Sequence, residues 1–220
     1  MKKVLSIMLV VAILTFTLVS CTIIATDVDG SKGLEYFDMG FMGCSVTGIG
    51  ECQDVNIRIP SSVDGKAVDT IGSKAFMGSK TIRSVLIPNT VEYIRDYAFA
   101  NCISLESVTL SNSLTIIEEY AFKNCVSLKA IEIPSSVDTI GKYAFASCFE
   151  LETIDLGDFD GEISELMLFG CGKLSIIIYQ GTVKEWNELK KHETWDSDTG
   201  DYIVKCLDGT VSKDGEITYT

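Results

Sequence analysis

An apolar pattern returns every 23 residues through the middle of this chain, and no local signal constrains a fold as strongly as such a period. Ile71, Ile94, Ile117, Ile140 and Ile163 mark it. Ala75-Phe76 returns as Ala98-Phe99, Ala121-Phe122 and Ala144-Phe145, then degenerates to Met167-Leu168 in the same register. Next in each unit stand Ser79, Cys102, Cys125, Cys148 and Cys171, followed by Ile82, Leu105, Leu128, Leu151 and Leu174. Val85, Val108, Ile131, Ile154 and Ile177 come after them, and then Ile87, Leu110, Ile133, Leu156 and Tyr179.

The spacing inside a unit assigns its parts. Leu105, Val108 and Leu110 follow an L-x-x-L-x-L cadence, whose last two apolar residues alternate as on a strand with one buried face. Pro88 and Pro134 stop that strand, as Ser111 and Gly157 do in their own units. A second extended piece, such as Val91 to Ile94 or Val137 to Ile140, leads into Tyr-Ala-Phe and one or two helical turns. Each unit is therefore one coil of a superhelix. A coil has no partner for its own apolar face, so the array must fold cooperatively and be capped at both ends.

Both caps are visible. From Ile59 to Ile87 the step lengthens to 28, and Asp64-Gly65 supplies the turn of an inserted hairpin. At the other end Thr182 can cap a helix through Val183, Trp186, Leu189 and Lys190, with Trp186 and Leu189 on one face. Extended runs at 202–206 and 216–219, joined through Asp208-Gly209 and Asp214-Gly215, complete a small β element.

The unit IGKYAFASCFELETIDL at 140–156, with SVTGIGEC at 45–52 and IPSSVDGKAVDTIG at 59–72, resembles BspA-type leucine-rich repeat proteins over roughly residues 34–206. The resemblance implies a right-handed leucine-rich repeat solenoid with a parallel β ladder and short helical turns. It also implies a place at the surface of bacteria or some protists and a role in adhesion or host interaction. Its motif is a scaffold motif and carries no catalytic residue. The expected organisation is an N-terminal capping unit at 34–70, about five 23-residue coils at 71–181, and a C-terminal cap at 182–220.

The first residues address export. Met1, Lys2 and Lys3 precede an apolar run from Val4 to Val19, the charge pattern of a secretory signal peptide. That run is shorter than the ~20 residues a helix needs to cross a bilayer. Leu18, Val19, Ser20 and Cys21 resemble the lipobox of bacterial lipoproteins, in which the cysteine is acylated. The resemblance makes residues 1–20 a lipoprotein signal peptide, Cys21 the lipidation site and residues 21–33 a tether. The product is then an exported protein, lipid-anchored to the bacterial cell membrane and facing outside. Ordinary signal-peptidase cleavage beside a chance cysteine is the alternative. Loss of Lys2 and Lys3 moves the net charge from −13 to −15, which argues against nucleic acid as a partner, because phosphate binding draws on clustered Lys and Arg.

Candidate chemistry is sparse. Cys102, Cys125, Cys148 and Cys171 stand one coil apart, about 4.7–4.9 Å along the stack. That lies inside the disulfide range, but equivalent side chains on stacked coils point in parallel, so free buried thiols are expected. Among Cys44, Cys52 and Cys206 one pairing stays open. No C-x-x-C or Cys/His clamp exists, so neither a metal nor any cofactor is expected. Asp158, Asp160 and Glu162 imitate the middle of a calcium loop, but Leu156 and Met167 occupy its first and twelfth positions. The sole histidine, His192, lies at a lysine-rich helix end and is read as a solvated cap residue rather than a base. Glu132 and Asp155 could suggest glycoside hydrolysis, but as strand neighbours they read as surface charges.

What remains is the exposed side of the ladder. Alternation places Ser84, Ser107, Ala130 and Thr153 in one row, and Leu86, Thr109, Glu132, Asp155 and Ile178 in another. Tyr97, Tyr120 and Tyr143 form a third row on the short helical turns. Solenoids bind extended partners on such regular faces. The expected function is non-enzymatic binding of a protein or glycan, with Thr109, Glu132, Asp155, Ser107 and Thr153 as candidate ligand face, by a monomer held at the membrane through its lipid. A structural or self-associating envelope protein is the alternative, and an envelope hydrolase a distant third.

Overall fold

Successive coils lie over one another in register. The computed structural model describes residues 30–40 and 43–220. Most repeats contribute a three-residue strand and a two-residue strand, which pair in parallel with their equivalents 23 residues away except between Ser107–Thr109 and Ala130–Glu132, while Ile163 keeps only a single bridge to Ile140. Val85 lies beside Val108, Ile94 beside Ile117, and Ile117 beside Ile140. In the longer strands the middle residue points inward and its neighbours outward, as the two-residue period of a strand requires.

The marker isoleucines fill the interior. Ile71, Ile94, Ile117, Ile140 and Ile163 are all 0% exposed. Phe76, Phe99, Phe122 and Phe145 stack beside them with ring centroids 5.1, 5.1 and 5.4 Å apart and planes within 6°. Such offset stacking lets large side chains repeat on one line without collision.

The Tyr-Ala-Phe segment departs from the helical turns expected of it. It forms tight turns in which Lys74, Tyr97, Tyr120, Tyr143 and Leu166 hold left-handed backbone, with φ between 53° and 60°. A helix would spend its amides internally, four residues back. Here alternate amides reach the next coil, Phe76 donating to the Ala98 carbonyl, Phe99 to Ala121 and Phe122 to Ala144, each at 2.8 Å, while those between them, such as Ala98 to Arg95, bond three residues back. Inter-coil bonding outweighs the local cost of about 1–2 kcal/mol for a left-handed L-residue.

The stack has about seven turns rather than five. The additional ones are the two caps, which lack the Ala-Phe and Cys signature but keep the ladder. At the front, Cys44–Gly48 pairs in parallel with Lys66–Ile71, and Asn56–Arg58 pairs with Ser84–Leu86. The hairpin Ser62–Val63 with Lys66–Ile71 turns through Asp64 and Gly65, both at positive φ. The capping layer also begins before residue 34, for Ser31 is buried and exchanges hydrogen bonds with the Arg58 backbone.

At the far end the helix Val183–Glu188 interrupts a coil instead of ending the array. Its capping box is complete: the Glu185 amide donates to Thr182 Oγ1 at 3.2 Å, and the Thr182 amide donates to the Glu185 carboxylate at 2.7 Å. Beyond it Lys191 bridges to Ile163, the Trp195 carbonyl accepts from Leu168, and Val204 lies beside Ile177. Tyr179, Trp186, Trp195 and Tyr202 make successive ring contacts at 5.5–6.0 Å and close the core. The β element holds one more strand than expected, since residues 209–212 are extended and join 203–206 to 217–219.

Phe122→Ala opens a cavity in the middle of the phenylalanine stack. It is expected to cost about 3–5 kcal/mol, read as a lower urea midpoint in a single cooperative transition.

Candidate functional site

The candidate face is built by the outward residues of the longer strands. Ser84 lies beside Ser107 and Leu86 beside Thr109. Ala130 lies beside Thr153 and Glu132 beside Asp155, with Ile176 and Ile178 next. Ser107, Thr109 and Glu132 are exposed, while Thr153 and Asp155 are half-buried. The face is longer than the sequence rows. Asn56 and Arg58 extend it at the front, and Ile203 and Lys205 extend it at the back. The alternating Ile203-Val204-Lys205 was the signal for the latter, masked by the helical insertion before it.

The face falls in two parts. Asn56–Arg58, Ser84–Leu86 and Ser107–Thr109 form one sheet, whereas Ala130–Glu132 begins another that runs to the C-terminal hairpin. Ser107 and Thr109 therefore stand on the last strand of one sheet, and Glu132, Thr153 and Asp155 on the first strands of the other.

Charge on the flanks is partly paired, with Glu92, Glu119, Asp138 and Glu152 exposed and outside any ion pair among the described residues. On the flanks opposite charges pair across one coil step: Arg83 with Glu106 at 3.1 Å, Arg95 with Glu118 at 2.7 Å, Lys142 with Glu165 at 3.0 Å and Lys173 with Glu150 at 2.6 Å. On the strand face Glu132 and Asp155 are direct cross-strand neighbours, an arrangement of like charges that destabilises a sheet. Among the described residues neither has a cation in salt-bridge range. Asp155 turns one carboxylate oxygen to the Gly157 amide at 2.8 Å, which fixes its orientation.

The tyrosine row is a ring stack on the turns. Tyr97, Tyr120 and Tyr143 lie 4.6 and 5.0 Å apart with planes inclined by 10°, and Lys74 and Lys123 sit over them. Burial raises the Tyr120 phenol above its usual range, helped by its two tyrosine neighbours and by Glu119 and Glu165.

The cysteine row has a packing role. Cys102, Cys125, Cys148 and Cys171 are wholly buried and free. Each thiol donates to a phenylalanine carbonyl of the preceding coil, Cys102 to Phe76 at 3.1 Å, Cys125 to Phe99 at 3.2 Å, Cys148 to Phe122 at 3.3 Å and Cys171 to Phe145 at 3.2 Å. Burial pushes Cys102 and Cys171 up to about 12, and Cys125 and Cys148 well above the ordinary thiol range. Cys44, Cys52 and Cys206 are free as well.

The remaining candidates do not assemble into chemistry. Asp158, Asp160 and Glu162 line an open groove of about 640 Å³ with Glu185 and Glu188, where the Glu185 carboxylate is held low by its bonds to Thr182. No group of residues among those described is arranged to hold a metal ion. His192 keeps its Nδ1 against the Thr194 hydroxyl at 2.9 Å, and its amide donates to Ile163, so it pins the last coil. Cys21 lies outside the described residues.

Known proteins match this geometry. A family model described as BspA type leucine rich repeat region matches in six copies over residues 69–189, more than half of the chain. A leucine-rich repeat protein of T. pallidum is 29% identical with a TM-score of 0.63, over 66% of this chain and 68% of that one. A leucine-rich cell surface protein of Faecalibacterium prausnitzii is 29% identical with a TM-score of 0.65, and the match covers 71% of this chain but only 40% of that one. A leucine-rich repeat protein of Bacteroides capillosus is 32% identical with a TM-score of 0.50, over 56% of this chain and 92% of that one. No functionally curated protein matches.

Because folding raises these thiols above the ordinary value near 9, their contribution to stability is full below pH 9 and is lost as pH climbs from there toward 12. The urea midpoint is expected to fall over that interval. At pH 8 a thiol reagent should modify the half-exposed Cys206 before unfolding and the four stacked cysteines only after it. Fast native-state labelling of all four would contradict their burial.

Proposed function

The chain belongs to the BspA type leucine-rich repeat family, and on that premise we propose that it is a non-enzymatic surface protein that binds a protein or glycan through the strand face, in adhesion or host interaction. The family signature is a repeat scaffold, so function must reside in the residues the scaffold displays. No helix among the described residues is long and apolar enough to cross a membrane. Attachment is assigned to acylated Cys21, which needs more than one lipid chain for stable anchoring.

One observation carries the binding reading. Glu132 and Asp155 face each other on neighbouring strands at the centre of the exposed rows, and among the described residues no cation lies in salt-bridge range of either. Thr109 and Ser107 on one side and Thr153 on the other add hydroxyls beside them. A ligand rich in donors, such as a lysine- or arginine-bearing protein surface or the hydroxyls of a glycan, relieves that repulsion on binding.

The test is a partner screen with the full chain in detergent, followed by the combined change Glu132→Ala, Asp155→Ala and Thr109→Ala. Loss of at least tenfold in affinity with a melting temperature no lower than that of the wild type is the expected result. A partner retained at full affinity would move the ligand site elsewhere. Metabolic labelling with a fatty acid should mark the wild type and leave Cys21→Ala unlabelled, and label on the variant would overturn the anchor.

A further inference from the structure

The outermost strand, Ile217–Tyr219, ends the six-stranded sheet and has no partner on its outer edge among the described residues. The bonding pattern of that edge is fixed by its inner neighbours. The Ser212 amide donates to the Glu216 carbonyl and the Thr220 amide donates to the Asp208 carbonyl, so residues 216, 218 and 220 direct their backbone groups inward. Antiparallel alternation then turns the N–H and C=O of Ile217 and Tyr219 outward.

Two donors and two acceptors thus flank Thr218 symmetrically. That is the pattern an antiparallel copy of the same strand needs when a two-fold axis passes through Thr218. Ile217 then exchanges both bonds with Tyr219 of the second copy, and Tyr219 does the same with its Ile217.

The side chains fit the same axis. Ile217 continues the row of Val204 and Val211, which are buried, but is itself 41% exposed, and Tyr219 is 68% exposed. Two-fold pairing sets each Ile217 against a Tyr219, an aromatic with β-branched pair that stabilises sheets. Glu216 falls opposite Thr220 rather than opposite another glutamate. Nor is the edge guarded: the strand holds no proline and no lysine, the usual protections against pairing.

We propose that the chain forms a two-fold symmetric dimer by pairing Ile217–Tyr219 with the same strand of a second copy. This goes beyond the ligand-binding reading, does not depend on it, and departs from the monomer expected from sequence. Three residues a side bury far less than the roughly 1,000 Å² of a stable interface, so the dimer is weak and concentration dependent. Thr210 and Thr218 continue the exposed row of Asp155, Ile178 and Lys205 up to the axis, so the two candidate faces run into one another.

Sedimentation of the full chain in detergent, corrected for bound detergent, should show a mass rising toward the dimer from micromolar to millimolar protein. Tyr219→Pro deletes an outward donor and leaves the bonds to residues 209–212 intact, so it should keep the chain monomeric with an unchanged melting curve. Thr218→Cys places a thiol on the axis in a non-hydrogen-bonded pair, where Cβ atoms approach to about 4.5–5.5 Å. In air it should form a linked dimer at least tenfold faster than Asp214→Cys on the adjoining turn. A monomer at every concentration, a dimer that survives Tyr219→Pro, or equal cross-linking rates at 218 and 214 would overturn the pairing.

Discussion

Backbone hydrogen bonds that run between coils, rather than within them, are the constraint on which this structure rests. Once the Phe99 amide is committed to Ala121 and the Phe122 amide to Ala144, each coil must sit squarely over the next. Every side chain then meets its own equivalent. Rows of identical residues follow directly: isoleucine on isoleucine, phenylalanine on phenylalanine, thiol under carbonyl. The same constraint accounts for the left-handed tyrosines, whose strain is tolerated because the tyrosine amide and that of the phenylalanine two residues on both cross the gap. A chain limited to local bonding would have placed a helix there, as the composition of Tyr-Ala-Phe suggests.

Much of this was legible before any coordinates, because a period of 23 specifies contacts between residues far apart in sequence as firmly as a motif specifies local ones. The core rows, the inserted hairpin at Asp64-Gly65 and the capping box at Thr182 with Glu185 could all be read. The first and last coils escaped for one reason. Residues 44–58 and 191–206 keep the backbone ladder but replace Ala-Phe and Cys with cap-specific residues such as Cys52, Trp195 and Tyr202, so side-chain periodicity vanishes where backbone periodicity continues. The thiol bonds were equally hidden, since a cysteine that donates to a carbonyl and one that merely fills space leave the same mark in sequence.

The candidate face was legible in its rows and not in its continuity. Alternation gave Ser107 with Thr109 and Thr153 with Asp155, because strand residues two apart share a side whatever the fold around them. The division between Thr109 and Glu132 has no signature in residue type, for Val108 and Ile131 are both ordinary inward residues. Charge tells the same story. Flank pairs such as Arg83 with Glu106 are exposed and individually worth about 0.2–1 kcal/mol, and other flank carboxylates such as Glu119 and Glu152 have no such pair, so what sets Glu132 and Asp155 apart is their place as direct cross-strand neighbours on the face.

Interior coils present the same upper and lower surfaces, so any one of them could be repeated or removed and its neighbours would meet a surface they already fit. The caps would not register the change. Adding a single residue to one coil, by contrast, would throw Phe, Cys and Ile rows out of line at once. The length of such a molecule is therefore quantised: evolution can lengthen or shorten the display surface in whole steps of one coil, at little risk to the fold, while the circumference stays fixed.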